Sequence, residues 1–246
     1  MRHGGSCYRA RSAMGSYSAQ ARFDGVIAFT CWPRADVAAL LPPDVVAAGT
    51  AETHPVVFVF GTQRDAAVLF AGFAIPSVGR YLELGVLVPS VRPRAGGEER
   101  IYVVRMYASY FPAVWNGNAH FGFAKELARL AWDGRAFAVR SEDGDVLIDA
   151  VTDATEPWTA ARAGGPPGFA AMRAVFAGPV VGRKGDGRYV RSAFGWDFAD
   201  ADVRPADVHV VLAPGLGGRR CTTAPPGAFE VRGMLWKVAW PSAGWR

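Results

Sequence analysis

Short runs of alternating and β-branched apolar residues, cut by Gly, Pro, Asn and Asp, recur along almost the whole chain. A strand turns successive side chains to opposite faces, so runs of this period build sheets rather than a helical bundle. Strands are expected over Phe23–Cys31, Pro55–Gly61, Ala67–Phe73, Arg80–Val91, Arg100–Ser109 and Ala136–Arg140. More are expected over Val146–Ala150, Val180–Arg183, Tyr189–Asp197, Asp207–Leu212 and Phe229–Ala239. Two helical patterns stand out. Arg34–Leu41 stops at Pro42-Pro43, and Phe121–Trp132 has good helix formers from Ala124 and stops before Asp133-Gly134. Phe169–Phe176 is a third candidate. This balance predicts a mainly β (α+β) fold, a curled sheet or barrel-like core decorated with a few helices.

The chain's 246 residues suit one domain, and 50% hydrophobic residues can fill its core without a disulfide or metal staple. Residues 1–21 are polar, Gly/Ser-rich and basic, without the apolar stretch of a signal peptide. They are expected to be a flexible tail, and 22–246 a single domain. The turn-rich Ala163–Gly168 reads as a loop inside that domain. No apolar run approaches the ~18–20 residues a membrane helix needs, so a cytoplasmic protein with no membrane partner is expected.

The net charge of +5 is spread over scattered arginines, with no dense basic tract, and no nucleic-acid partner is expected. Cys7, Cys31 and Cys221 are far apart and include no CxxC, which reads as free thiols. His3, His54, His120 and His209 lack metal-ligand spacing, so no metal is expected. There is no HExxH, GxSxG or Walker A loop, and Pro214–Gly218 reads as a plain turn.

Primary amines are scarce: Lys125, Lys184 and Lys237 are the only lysines. Lys125 stands among Phe121, Phe123, Ala124, Leu127 and Ala128. In such surroundings desolvation disfavours the ammonium, and a neutral amine adds to ketones and aldehydes to give a Schiff base. The alternative is a stem that covers apolar surface while its head reaches water. In Tyr81–Val88, period two groups Glu83 with Tyr81, Gly85 and Leu87, against Leu82, Leu84, Val86 and Val88. A carboxylate in so apolar a strand is either paired with an arginine or handles protons. Arg22, just before the first strand, is a third candidate, and His120 lies five residues before Lys125.

Together these segments resemble the acetoacetate decarboxylase family. Arg22-Phe23 through Phe29, leading to Leu40-Leu41-Pro42-Pro43, resembles the family's opening strand, short helix and "LPP" element. Tyr81-Leu82-Glu83 followed by Val88-Pro89 resembles its Tyr-x-Glu strand. Val104–Tyr107 followed by Asn116-Gly117 matches a third stretch, and Gly122–Ala128 matches the lysine segment. The resemblance is clear over about residues 22–132 and diffuse beyond. It implies a cone-like, double-layered antiparallel β-barrel, usually oligomeric, with Lys125 as Schiff-base nucleophile and Glu83 as site glutamate. It also implies Arg22 as the holder of a substrate carboxylate. The family's Gly-Arg-Glu stands here as Gly117-Asn118-Ala119, its Pro before the nucleophile as Ala124, and the decarboxylase's second lysine as Glu126.

The expectation is therefore a lysine-dependent enzyme, a lyase, acting on a keto acid or related carbonyl compound by decarboxylation or by enamine-type aldol or dehydration chemistry. Lys125 and Glu83 are the expected catalytic residues; Arg22, Tyr81 and His120 are the expected substrate contacts. The partners expected are a small-molecule carbonyl substrate and further copies of the chain, in a homo-oligomer, and no metal or organic cofactor. Two other readings stand beside it. One is an acetoacetate decarboxylase-like cyclase of polyketide-like secondary metabolism that forms no imine; the other is a small-molecule binding protein without turnover.

Overall fold

The computed structural model describes residues 18–70 and 73–245. The chain opens with β1 (Ser18–Pro33), α1 (Arg34–Leu40) and β2 (Val45–Ala47), followed by the long strands β3 (Thr53–Phe70) and β4 (Phe73–Pro93). Next come β5 (Arg100–Ala108), α2 (Phe111–Asn116) and a π-helical turn over Gly117–Phe121. Short strands follow: β6 (Lys125–Leu127), β7 (Arg129–Trp132), β8 (Ala136–Arg140), β9 (Val146–Ala154) and β10 (Thr159–Ala160). After α3 (Phe169–Val175) come β11 (Val180–Arg183), β12 (Tyr189–Ser192), β13 (Phe194–Asp197) and β14 (Asp202–Leu212). The chain finishes with β15 (Arg220–Thr222), β16 (Ala228–Ala239) and β17 (Ser242–Ala243).

The expected helices at Arg34 and Phe169 are present. The expected strands over 55–61 and 67–73 are largely one strand, β3, paired along its length with β4: Val57 faces Leu87, and Gly61 faces Glu83. All these strands belong to one large sheet, mostly antiparallel. Its centre runs β16–β1–β3–β4–β5; β14, β9 and β8 extend one flank, while β6 and β11 pair in parallel with β5 on the other. The sheet curls but does not close, so the barrel expected from the sequence is an open one.

Side-chain alternation divides the core between the two faces of this sheet. Phe23, Ile27, Val57, Leu87, Ile101 and Phe229 belong to one apolar cluster. Val26, Ala28, Phe58, Leu84, Val86 and Val88 belong to another. Adjacent residues of one strand thus serve different cores, the double layer that a two-sided sheet requires.

Three expectations are corrected. The segment 121–132 is not a helix: after Phe121 the chain turns through Gly122 in the left-handed region and forms β6 and β7. Helix propensity is a weak prior, and here the backbone of Lys125–Leu127 pairs with Met106–Ala108 of β5, a sheet edge that local sequence does not show. The tail boundary also moves, because Ser18–Ala21 already pair with β16; residues 1–17, with Cys7, lie outside the described residues. Cys31 and Cys221 are free, as expected. Lastly, Tyr189–Asp197 is two strands, which pair with different partners, β12 with β17 and β13 with β16. Among the described residues, no helix is long and apolar enough to cross a membrane.

Candidate active site

A cavity of about 260 Å³ opens on the face of the sheet that carries Phe23 and Leu87. Its wall is largely apolar and includes Phe123, Phe194, Trp196 and Trp236 together with residues of β3 and β4. The cavity lies near the lower end of the ~300–1,000 Å³ range of small-molecule sites.

The strand alternation read from Tyr81–Val88 holds: Tyr81, Glu83, Gly85 and Leu87 all line the cavity, and Leu84, Val86 and Val88 pack in the opposite core. Lys125 also lines the cavity. Its Nζ lies 2.8 Å from Glu83 Oε2, and the two side chains are 9% and 7% exposed. Between their strands runs β5, and the residue opposite Glu83 there is Ala108, whose single methyl leaves space for the pair. Burial, followed by the nearby charge of Glu83, pushes the Tyr81 hydroxyl well above its ordinary range, so it stays protonated beside the carboxylate.

The segment around Lys125 is held by unusual means. The Asn118 side chain clamps the Lys125 backbone: Lys125 N donates to Asn118 Oδ1 at 2.6 Å, and Asn118 Nδ2 donates to Lys125 O at 2.8 Å. This amide mimics a strand partner and satisfies both backbone groups. Ala124 takes a positive φ of 47°, which is uncommon for a residue with a side chain. Gly117 is required by close approach, since a Cβ there would sit 2.6 Å from Lys125 Cδ. The lysine stem therefore runs across a bare stretch of backbone. Glu126, adjacent in the strand, points to the other face and meets Arg105 at 3.5 Å. The second cation of the decarboxylase pattern is thus replaced by an acid that faces away from the amine.

Two residues singled out in the sequence are not in the cavity wall. Arg22 is absent from the lining although its neighbour Phe23 is part of it, and Arg22 Nη1 donates to Gly233 O at 3.4 Å. His120 packs its ring on Trp240 at 4.8 Å and edge-on to Trp115 at 5.5 Å. Burial, with the nearby Lys184 charge, lowers its pKa. His120 is therefore a buttress behind Trp115, which does line the cavity. Gln63 was missed. It sits in register between Phe23 and Tyr81, and its Oε1 accepts a hydrogen bond from Trp236 Nε1 at 2.6 Å. The alternation Val57, Val59, Gly61, Gln63 continues past the expected strand end and carried the signal. Among the described residues, no cluster of His, Cys, Asp and Glu has the arrangement of a metal site.

No protein-family model matches the chain, and no curated protein is significantly similar to it. Solved structures are similar in fold. The enduracididine biosynthesis enzyme MppR, complexed with the condensation product of pyruvate and imidazole 4-carboxaldehyde, superposes with a TM-score of 0.60 at 11% identity, covering 96% of this chain and 92% of that one. Acetoacetate decarboxylase from Legionella pneumophila subsp. pneumophila str. Philadelphia 1 gives 0.57 at 14% identity, over 96% and 92%. An acetoacetate decarboxylase-like enzyme from Sphingomonas wittichii RW1 gives 0.58 at 11% identity, over 98% and 100%. The fold is that of acetoacetate decarboxylase.

Proposed function

We propose that this chain is a Schiff-base enzyme that activates a carbonyl compound through Lys125, with Glu83 as its proton carrier. One observation carries the reading: a lysine and a glutamate, both buried, meet at 2.8 Å on the wall of an apolar cavity. The similarity in fold to acetoacetate decarboxylase and MppR supports it.

The contact supplies the proton chemistry. Transfer of one proton from Nζ to Oε2 leaves a neutral amine beside a carboxylic acid. The amine adds to the substrate carbonyl and forms a carbinolamine. The acid returns its proton to the hydroxyl, water departs, and an iminium remains opposite a carboxylate. The iminium is an electron sink, and Glu83 can take a proton from the adjacent carbon to give an enamine. Tyr81, protonated and on the same face of the strand, is a donor within the site for the Glu83 carboxylate. The apolar walls exclude water that would hydrolyse the iminium.

The test is borohydride reduction in the presence of acetone, acetoacetate or pyruvate, followed by peptide mass analysis. A reduced adduct on Lys125 is expected, and none on Lys184 or Lys237. Absence of an adduct with every carbonyl compound overturns the reading. Turnover without an adduct then favours the imine-free cyclase, and binding without turnover the small-molecule carrier.

A further inference from the structure

We propose that the substrate of this cavity is an electrically neutral, hydrocarbon-rich ketone or aldehyde with a second neutral oxygen, rather than a keto acid, and that Gln63 recognises that second oxygen. This rests on the reading of Lys125 as the carbonyl-activating amine.

Charge is balanced within the cavity wall. Among the described residues that line the cavity, Lys125 is the one cation and Glu83 the one anion, and they pair with each other. A neutral substrate keeps the cavity at zero net charge, both before imine formation and after it, when the iminium faces the carboxylate. A keto acid adds one uncompensated negative charge next to Glu83. Burying an unpaired carboxylate among Phe194, Trp196 and Trp236 is costly, because no free cation among the described residues of the wall compensates its lost hydration. The residue expected to neutralise it, Arg22, is not in the cavity wall and bonds the Gly233 carbonyl.

Gln63 is held in one orientation by Trp236. An indole Nε1 is only a donor, so its 2.6 Å contact identifies the Gln63 atom it meets as Oε1. Nε2 is then the amide's remaining group, and because Gln63 lines the cavity we assign its hydrogens to a ligand there. Gln63 lies opposite Tyr81 on the neighbouring strand, one diagonal step from Glu83. Such diagonal positions are about 7–8 Å apart. A substrate whose first carbonyl meets Lys125 can thus place a second oxygen, a few bonds along, on Gln63. A neutral amide donor suits a neutral acceptor, and its oxygen is already committed to Trp236.

Without a carboxylate there is no carbon dioxide to lose. The enamine formed at Lys125 then serves carbon–carbon bond formation or cleavage, or dehydration, with Glu83 moving the proton.

The experiment compares two compounds of the same skeleton: benzylacetone, and benzylpyruvate, in which a carboxylate replaces the ketone methyl. The readouts are the concentration giving half-maximal borohydride adduct on Lys125 and, in parallel, quenching of tryptophan fluorescence. Benzylacetone is expected to half-saturate at a concentration at least about tenfold lower, the equivalent of one uncompensated charge even with partial solvation. Equal or better labelling by benzylpyruvate overturns the neutral-substrate inference and leaves the imine reading standing. If neither compound labels, the imine reading fails; the fluorescence titration then decides the inference alone, tighter benzylacetone supporting it and tighter benzylpyruvate overturning it. Gln63→Met tests the second contact. It should weaken capture of 4-hydroxybutan-2-one, which has two neutral oxygens, about tenfold more than it weakens capture of benzylacetone, the difference being the worth of one hydrogen bond, because loss of the Trp236 contact is common to both. Equal behaviour toward both compounds removes Gln63 from the assignment.

Discussion

Two glutamates, Glu83 and Glu230, are each only 6% exposed, and they lie on opposite faces of the same sheet. Glu83 meets Lys125 on the cavity wall. Glu230 meets Arg204, whose Nε donates at 2.6 Å, and its other oxygen accepts from Thr152 at 3.2 Å. The second carboxylate is fully engaged by a cation that does not give up its proton. The first has a partner that can exchange one, and open space beside it. Burial alone therefore does not mark a site. What distinguishes the two is whether the pair can change protonation state and whether a ligand can reach it.

The sharpest way to break this comparison is Lys125→Arg. The charge and the ion pair with Glu83 are kept, but the nucleophile is gone. Borohydride capture should vanish entirely, while urea unfolding shows a native-like cooperative transition. Retained capture would place the imine on another lysine. The converse is Arg204→Met on the far face. It strands the Glu230 charge and should cost about 3 kcal/mol in urea unfolding, with Lys125 capture intact when measured below the unfolding transition. A large loss of capture without loss of stability would show that the two faces are coupled.

Smaller effects sharpen the role of the frame around the lysine. Gly117→Ala places a methyl against the Lys125 stem. A displacement of about 1 Å should slow capture by roughly 10–100-fold. Asn118→Ala removes both hydrogen bonds of the clamp. It should lower stability by about 1–2 kcal/mol and slow capture less than Gly117→Ala does. The smallest effect expected is a pH slope from the far face, at His54. This ring is buried, its Nε2 contacts Pro89 O at 2.8 Å, and burial lowers its pKa from 6.5. The unfolded chain then binds a proton that the folded one refuses, so stability falls as pH drops below about 6.5. His54→Gln should flatten that slope in urea midpoints measured across pH 5–7, while the pH profile of Lys125 capture stays the same.

Much of the site was legible in sequence, for a local reason. Period two is a property of an extended backbone, so Tyr81, Glu83, Gly85 and Leu87 could be assigned to one face before their surroundings were known. The scarcity of lysines narrowed the amine to one position in an apolar stretch. Errors came where neighbours in space decide. The segment from Ala124 onward has helix formers, yet the edge of β5 takes its backbone as strand. Arg22 sits where the resemblance expects a carboxylate-binding arginine; its place outside the cavity wall, bonded to the Gly233 carbonyl, is likewise set by contacts distant in the chain. Asn118 stood out only as a departure from a family pattern, and its work as a backbone clamp depends on a turn that no periodicity signals.

The sequence by itself determined the sheet-rich architecture, the two-sided alternation of β4 and the identity of the available amine. These follow from side-chain period and residue type, which each segment carries with it. Tertiary structure decided that Lys125 reaches Glu83, that Gln63 is oriented by Trp236, and that no arginine joins them in the cavity wall among the described residues. Those outcomes depend on the pairing of strands far apart in the chain, and pairing is set by how the whole sheet buries its two faces rather than by any one segment.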